Sequence, residues 1–331
     1  MTSEAPGRAV HGRPAVRVAV LDDYQGVARS FGPWATLGDR IELEVFGDHL
    51  DDEPTLVQRL RPFEVVVAMR ERTPFPRSVL SALPNLRLLV TTGGRNAAID
   101  IAACAEQGVL VCGTGGVAHG TAELTWALIL AAARHLPSEL ASVRGGGWMT
   151  GVGRDLRGAR LGVIGLGRLG ARVAGIGLAF GMDVVAWSQN LTDARCAEIG
   201  VSRVTKAELL STSEFVTIHL VLSDRTRGLI GETELGLMRP DAWLVNTSRG
   251  PICDEQALAT ACSEGRVAGA CLDAFTEEPL PAGHPFRALP NVLASPHLGY
   301  VTNETYQVFF SDIVENIDRW LAGDPVRVVT A

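Results

Sequence analysis

Residues Leu161–Gly170 read LGVIGLGRLG, and the fold turns on them. Leu161, Gly162, Val163 and Ile164 have the character of a short buried strand. Gly165, Gly167 and Gly170 follow as G-x-G-x-x-G, and Ala171 to Phe180 continues as an apolar, Ala- and Gly-rich helix. The spacing has a mechanical meaning. Gly165 permits the tight turn out of the strand, Gly167 leaves no side chain where a pyrophosphate meets the backbone, and Gly170 lets the helix pack close on the strand. The start of the helix then presents unpaired N–H groups to an anion. In a chain with 36 glycines the motif alone is weak, but a strand before it and a helix after it are the context it requires.

Outward from that loop the chain alternates between strand and helix patterns. Downstream, DVVAWS (183–188), FVTIHL (215–220), AWLVNTS (242–248), AGACLDA (268–274) and VLASPH (292–297) read as strands, with helices near 206–210, 232–237 and 255–264. With Leu161–Ile164 this makes six. Upstream, VRVAVLDD (16–23), IELEVFGD (41–48), VVVAMR (65–70), LRLLVTTGG (86–94) and GVLVCGTGG (108–116) form a second series, with helices at 54–60 and in AAIDIAACAEQG. Continuous β-branched runs separated by helices predict parallel sheets covered on both faces. A helix at about 121–136, stopped by Pro137, precedes a Gly-rich loop at 144–153 carrying Trp148. A last helix at 303–321 is placed to return to the first domain.

The fold class expected is α/β with two doubly wound parallel-sheet domains. A Rossmann dinucleotide-binding domain (113–297) is inserted in a flavodoxin-like substrate domain (1–112 and 298–331), with hinges near Gly113 and Gly299.

Composition narrows the function. Of 331 residues 47% are hydrophobic and 20% charged, which suits a packed globular chain rather than a disordered one. The net charge of -7, with no Lys/Arg stripe, argues against nucleic acid as a partner. Six scattered cysteines without C-x-x-C spacing read as buried thiols in a reducing, cytoplasmic compartment, and no metal site is expected. MTSEAPGRAVHGRPAVR at the start has no apolar core for a signal peptide and reads as a loose tail. The apolar run 124–133 is too short to span a bilayer, so no membrane association is expected.

In open α/β sheets ligands bind beyond the carboxyl ends of the strands. There the second series places Asn246-Thr247-Ser248-Arg249-Gly250, Asp273, Glu278 and His297. An Arg, a Glu and a His converging on a nucleotide crevice suit reduction of a 2-keto acid. Guanidinium binds carboxylate and carbonyl in a planar fork, imidazolium hands a proton to the developing alkoxide, and a carboxylate holds the ring's tautomer. Taken singly, Arg249 also fits a surface arginine, Glu278 a solvated loop acid and His297 a core histidine. Their shared placement favours a site.

The segments GARLGVIGLGRLGARVA, HLVLSDRTRGLI, LVNTSRG, CLDAFTEEPLP and SPHLGY, in that order, resemble the D-isomer-specific 2-hydroxyacid dehydrogenase family from about Val16 to Leu321. The resemblance implies Arg249 as substrate-binding arginine, His297 as acid/base and Glu278 as its carboxylate partner. It implies Asp273 on the nicotinamide side, Arg168 and Leu169 with the three glycines on the pyrophosphate, and Thr247 near the nicotinamide. Ser248, Gly299, Leu220 to Ser223 with Val221, and Thr226 complete the cofactor crevice. The turn Gly93-Gly94-Arg95 resembles the loop whose backbone N–H groups take the substrate carboxylate. Domain closure is expected to bring Gly94 to Arg249. Arg70 and Arg72 are further candidates for the cleft, with a solvated surface expected for at least one. A homodimer is also implied, with the helix at 121–136 a source of subunit contacts.

One position departs from the family's commonest pattern. Where NAD-preferring members carry Asp or Glu, this chain has Ser188, then Gln189 and Asn190. Nothing there repels a ribose 2′-phosphate, and no cation stands at 188–190 to attract one; Arg195 is the nearest. The cofactor expected is NAD(H) or NADP(H), weakly discriminated, with NAD(H) slightly ahead. The substrate expected is a small 2-keto acid such as glyoxylate, hydroxypyruvate or pyruvate. The Glu278–His297 pair argues against formate dehydrogenase, and the lack of a Lys in the Gly93 loop against phosphite dehydrogenase. Two rivals stay open: 3-phosphoglycerate oxidation, and an NAD(H)-sensing co-regulator like the C-terminal-binding corepressors. The substrate's side chain, the pathway, and whether Trp148 or Tyr300 meets the substrate are not legible in the sequence.

Overall fold

The computed structural model describes residues 14–330, so most of the N-terminal stretch read as a tail lies outside the described residues. The chain divides into two compact units. One runs to Val117 and resumes at Asn303; the other is Ala118–Thr302.

The first unit is built on β1 (Val16–Val20), β2 (Ile41–Val45), β3 (Val65–Ala68), β4 (Leu88–Thr91) and β5 (Leu110–Cys112). All neighbours pair in parallel, in the order β2-β1-β3-β4-β5. β3 and β4 are buried at every residue, as VVVA and LLVT require with both sheet faces covered. β2 lies at the edge and exposes Glu42 and Glu44. The Asn303–Leu321 helix belongs to this unit and buries Tyr306, Phe309, Phe310, Ile313, Val314 and Ile317. Its Asn316 Nδ2 donates to Gly113 O at 2.8 Å, and its Asp312 accepts from Gly115 N at 2.7 Å.

The second unit carries β6 (Arg160–Ile164), β7 (Asp183–Trp187), β8 (Ser202–Arg203), β9 (Phe215–Ile218), β10 (Trp243–Asn246), β11 (Gly269–Leu272) and β12 (Val292–Ala294). They form one parallel sheet in the order β12-β11-β10-β9-β6-β7-β8. Alternate residues feed two cores. Leu161, Val163, Phe215 and Val245 pack with Trp126 and Ile129 of the Gly120–Ala133 helix, while Ile164, Val216 and Leu244 pack with Leu209, Leu235 and Leu258 on the opposite face. The switch in strand order, between β6 and β9, places the crevice of a doubly wound sheet beside the glycine loop.

Two sequence expectations need correction. The sheet has seven strands, not six, because β8 is an exposed two-residue edge strand too short to carry a period. The helix at 121–136 ends at Ala133. His135 turns left-handed (φ 51°) and Pro137 sits in the first turn of a new helix, Leu136–Arg144, where its missing N–H costs nothing. All six cysteines are buried and free. Among the described residues no helix is long and apolar enough to cross a membrane.

Candidate active site

Three glycines shape the crevice. Gly165 leaves β6 with φ 98°, and its N–H donates to Trp187 O at 2.8 Å. A Cβ on Gly165 would stand 2.5 Å from His219 O, and one on Gly170 would stand 1.9 Å from Gly165 O. Both positions therefore exclude side chains. Gly167 differs: a Cβ there would meet nothing within 4 Å. It is the N-cap of the Arg168–Ala179 helix and supplies no side-chain cap, so the first N–H groups, at Arg168 and Leu169, face outward without an intrahelical partner. A cleft of about 310 Å³ opens there, lined by Gly165, Gly167, Ser188, Asn190, Arg195, His219, Leu220 and Val221 among others. An open cradle, orphan N–H groups and a positive helix end fit the pyrophosphate of a dinucleotide.

The far side of the cleft is the turn after β9. Thr226 Oγ1 donates to Val221 O and accepts from Ser223 N, both at 2.8 Å, so Thr226 holds the turn together. Val221 is exposed at its tip. Arg225 of the same turn places Nε 2.8 Å from Gln189 Oε1, a contact across the rim that the sequence reading did not anticipate. Arg195 donates to Glu198 at 2.7 Å and to Leu166 O at 3.3 Å.

β10, β11 and β12 are adjacent and parallel, so their carboxyl-end loops lie side by side. In the first, Asn246 folds the turn: Nδ2 donates to Arg249 O at 2.9 Å and Oδ1 accepts from Ser248 N at 3.0 Å. Ser248 Oγ donates to Ile218 O, and Thr247 Oγ1 pairs with Thr125 Oγ1 at 2.8 Å. Arg249 is half-buried, with Nη1 donating to Ser248 O at 2.7 Å. Gly250 presses against the second loop, where a Cβ would lie 2.1 Å from Phe275 C. That contact joins the loop of Arg249 to the loop of Glu278.

Asp273, 1% exposed, organises the third loop. Oδ1 accepts from Ser295 Oγ at 2.6 Å and from Leu298 N at 2.7 Å, and Oδ2 accepts from Gly299 N at 2.8 Å. Burial outweighs these bonds and pushes its carboxyl above the usual range. Gly299 O in turn accepts from Thr121 Oγ1 at 2.9 Å. So held, the loop carries His297 in a left-handed conformation (φ 54°), with Nδ1 2.7 Å from Glu278 Oε2. Glu278 Oε1 accepts from Phe275 N at 2.8 Å. The carboxylate assigns the proton on Nδ1 and leaves Nε2 as the reactive edge. Tyr300 packs edge-on against the His297 ring at 5.4 Å, whereas Trp148 is 71% exposed.

The remaining candidates lie in the first unit. Gly93 (φ 86°) already donates its N–H to Thr114 Oγ1 at 2.7 Å. The N–H groups of Gly94 and Arg95 make no hydrogen bond among the described residues, and the space above Gly94 is open. Of that turn, then, Gly94 and Arg95 have donors to offer a carboxylate. Neither arginine of MRERT is simply solvated. Arg70 lies across Gly93, and Arg72 is 8% exposed, donating to Asp22 O at 2.7 Å and stacking 4.4 Å from the Tyr24 ring centre.

The family model described as "D-isomer specific 2-hydroxyacid dehydrogenase, NAD binding domain" matches residues 126–299. Glyoxylate reductase of Aeropyrum pernix is 44% identical over 255 residues, 74% of this chain and 76% of its own length. D-3-phosphoglycerate dehydrogenase of Methanocaldococcus jannaschii is 35% identical over 81% of this chain, but the match spans only 52% of that protein. The crystal structure of phosphoglycerate oxidoreductase from Vibrio cholerae superimposes with a TM-score of 0.89 at 38% identity, covering 93% of this chain and 99% of that one. The family match and these identities show that the chain belongs to the D-isomer-specific 2-hydroxyacid dehydrogenase family, as an oxidoreductase that works with a nicotinamide cofactor.

Proposed function

We propose that this chain reduces a small 2-keto acid to its D-2-hydroxy acid, glyoxylate being the first substrate to test. The observation that carries the reading is the Glu278–His297 pair at 2.7 Å, held by Asp273 on a loop two strands from Arg249. The nicotinamide, when bound, supplies the hydride. Arg249 offers a planar guanidinium to the substrate's carboxylate and carbonyl oxygens. His297, fixed through Nδ1, delivers a proton from Nε2 to the carbonyl oxygen as it gains charge, and Glu278 stabilises the imidazolium that must be present beforehand. The N–H groups of Gly94 and Arg95 suit the substrate carboxylate. Leu169, Thr247, Ser248 and Gly299 belong to the cofactor's side of the site, some of them through the hydrogen bonds that shape it. Without an acid at Ser188 the crevice admits NADP(H) as well as NAD(H).

The Aeropyrum relative's name supports glyoxylate. Oxidation of 3-phosphoglycerate, the activity named for the Methanocaldococcus relative, requires cations for a distal phosphate. Arg72 is committed to Asp22 and Tyr24, which weakens that alternative.

A matrix of NADH and NADPH against glyoxylate, hydroxypyruvate, pyruvate, longer 2-keto acids and phosphohydroxypyruvate tests the reading. Turnover is expected on one or two small keto acids. His297→Asn should lower kcat by about 10²–10⁴-fold while the cofactor still binds. Full activity in that variant would sink the mechanism, and tight cofactor binding with no turnover on any keto acid would favour a sensor.

A further inference from the structure

The rim of the crevice at the end of β7 is polar. The Ser188 hydroxyl and the Asn190 amide line the cleft, and neither side chain makes a hydrogen bond among the described residues. In dinucleotide sites an acid at this place accepts the ribose hydroxyls and repels a 2′-phosphate, whereas a nearby Arg accommodates the phosphate. The chain has no acid there, and the sequence around 188–190 has no cation either. The cation comes from 36 residues further on. Arg225 lays Nε 2.8 Å from Gln189 Oε1, with a second contact from Nη2.

Gln189 is neutral, and Arg225 forms no ion pair among the described residues. Arg195, a cation that lines the cleft, is neutralised by Glu198 at 2.7 Å. Of five guanidinium N–H donors two face Gln189, leaving three for an acceptor. Gln189 thus acts as a positioning residue. It holds an uncompensated planar cation one residue from Ser188, whose hydroxyl supplies a further donor.

We infer that Arg225 receives the 2′-phosphate of NADP(H), with Ser188 and Asn190 completing the site, so that this chain prefers NADP(H) over NAD(H). The inference rests on the reading of this crevice as the nicotinamide dinucleotide site, and it reverses the slight lead that the residues at 188–190 alone give to NAD(H).

Fluorescence titration of NADPH and of NADH, with no keto acid present, tests it on the whole chain. NADPH is expected to bind at least about tenfold tighter than NADH, the range of one hydrogen-bonded charge pair. Arg225→Gln should weaken NADPH about tenfold more than it weakens NADH. The NADPH advantage should also shrink between about 0.01 and 0.15 M salt, as the Debye length falls from roughly 30 to 8 Å. NADH binding as tightly as NADPH, or equal losses for both cofactors in R225Q, would overturn the assignment. Failure of both cofactors to bind would overturn it together with the dinucleotide reading. A wrong choice of keto acid would leave the titrations untouched.

Discussion

Gly167 and Gly170 lie three residues apart in one motif, yet the structure assigns them opposite sensitivities. At Gly170 an added methyl would sit 1.9 Å from the Gly165 carbonyl oxygen, backbone against backbone, with no flexible side chain to yield. The helix must shift by about an ångström or more away from β6, and overpacking of this kind costs about 1–3 kcal/mol, here at the upper end. For a unit of this size each kcal/mol lowers Tm by roughly 2–4 °C, so Gly170→Ala should melt about 6–12 °C lower. At Gly167 the methyl meets nothing within 4 Å, and the backbone (φ -75°, ψ -158°) is open to alanine. Its stability change should stay within about 0.5 kcal/mol. The same methyl occupies the approach to the helix N-terminus, where losing one charged hydrogen bond of about 1.5–3 kcal/mol weakens cofactor binding roughly 10–100-fold. Thermal melting and cofactor titration on both variants read the two effects separately. A Gly167→Ala protein binding cofactor within twofold of the parent, or a Gly170→Ala protein melting within a degree of it, would refute the reasoning.

Three further outcomes are expected. Asp273→Asn turns an amide NH₂ toward donors that the carboxylate now accepts, at a cost of about 1–3 kcal/mol. Because Asp273 acts through the loop of His297, kcat should fall about tenfold or more while the cofactor Kd moves less; an unchanged kcat would remove its positioning role. Burial pushes His219 down to about 4 from 6.5, so the unfolded chain binds a proton that the folded one refuses. Stability is then full above about pH 6.5 and is lost as pH falls toward 4, by up to about 3 kcal/mol. Urea unfolding of His219→Asn should show a shallower acid slope over that window, and an identical slope would count against it. Leu130, Leu136, Leu140, Val143, Trp148 and Met149 are exposed large apolar side chains on the consecutive segments around the Leu136–Arg144 helix, and we propose that a second copy of the chain covers them. Sedimentation should give a dimer that Leu140→Glu dissociates; a monomeric parent protein would exclude it.

The sequence alone determined what is local and periodic. Strand runs such as VVVA (65–68) and LLVT (88–91), the glycine loop with its flanking strand and helix, and the placing of Arg249, Glu278 and His297 each shortly after its own strand are local features of the chain. Burial on both faces forces continuous apolar runs, and the loop's spacing is set by the pyrophosphate approach itself, so both leave a signature in one dimension. The tertiary structure decided whatever depends on strand order. It set Arg225 on Gln189 and Thr125 on Thr247, and it used Gly93's N–H on Thr114 while leaving Gly94 and Arg95 with donors to offer. It turned Asp273 into the anchor of the His297 loop. Those partners are separated by between 21 and 122 positions in the chain. A hydrogen bond has a reach of about 3 Å and no sequence period, so only the folding of the sheet reveals which distant side chains share one.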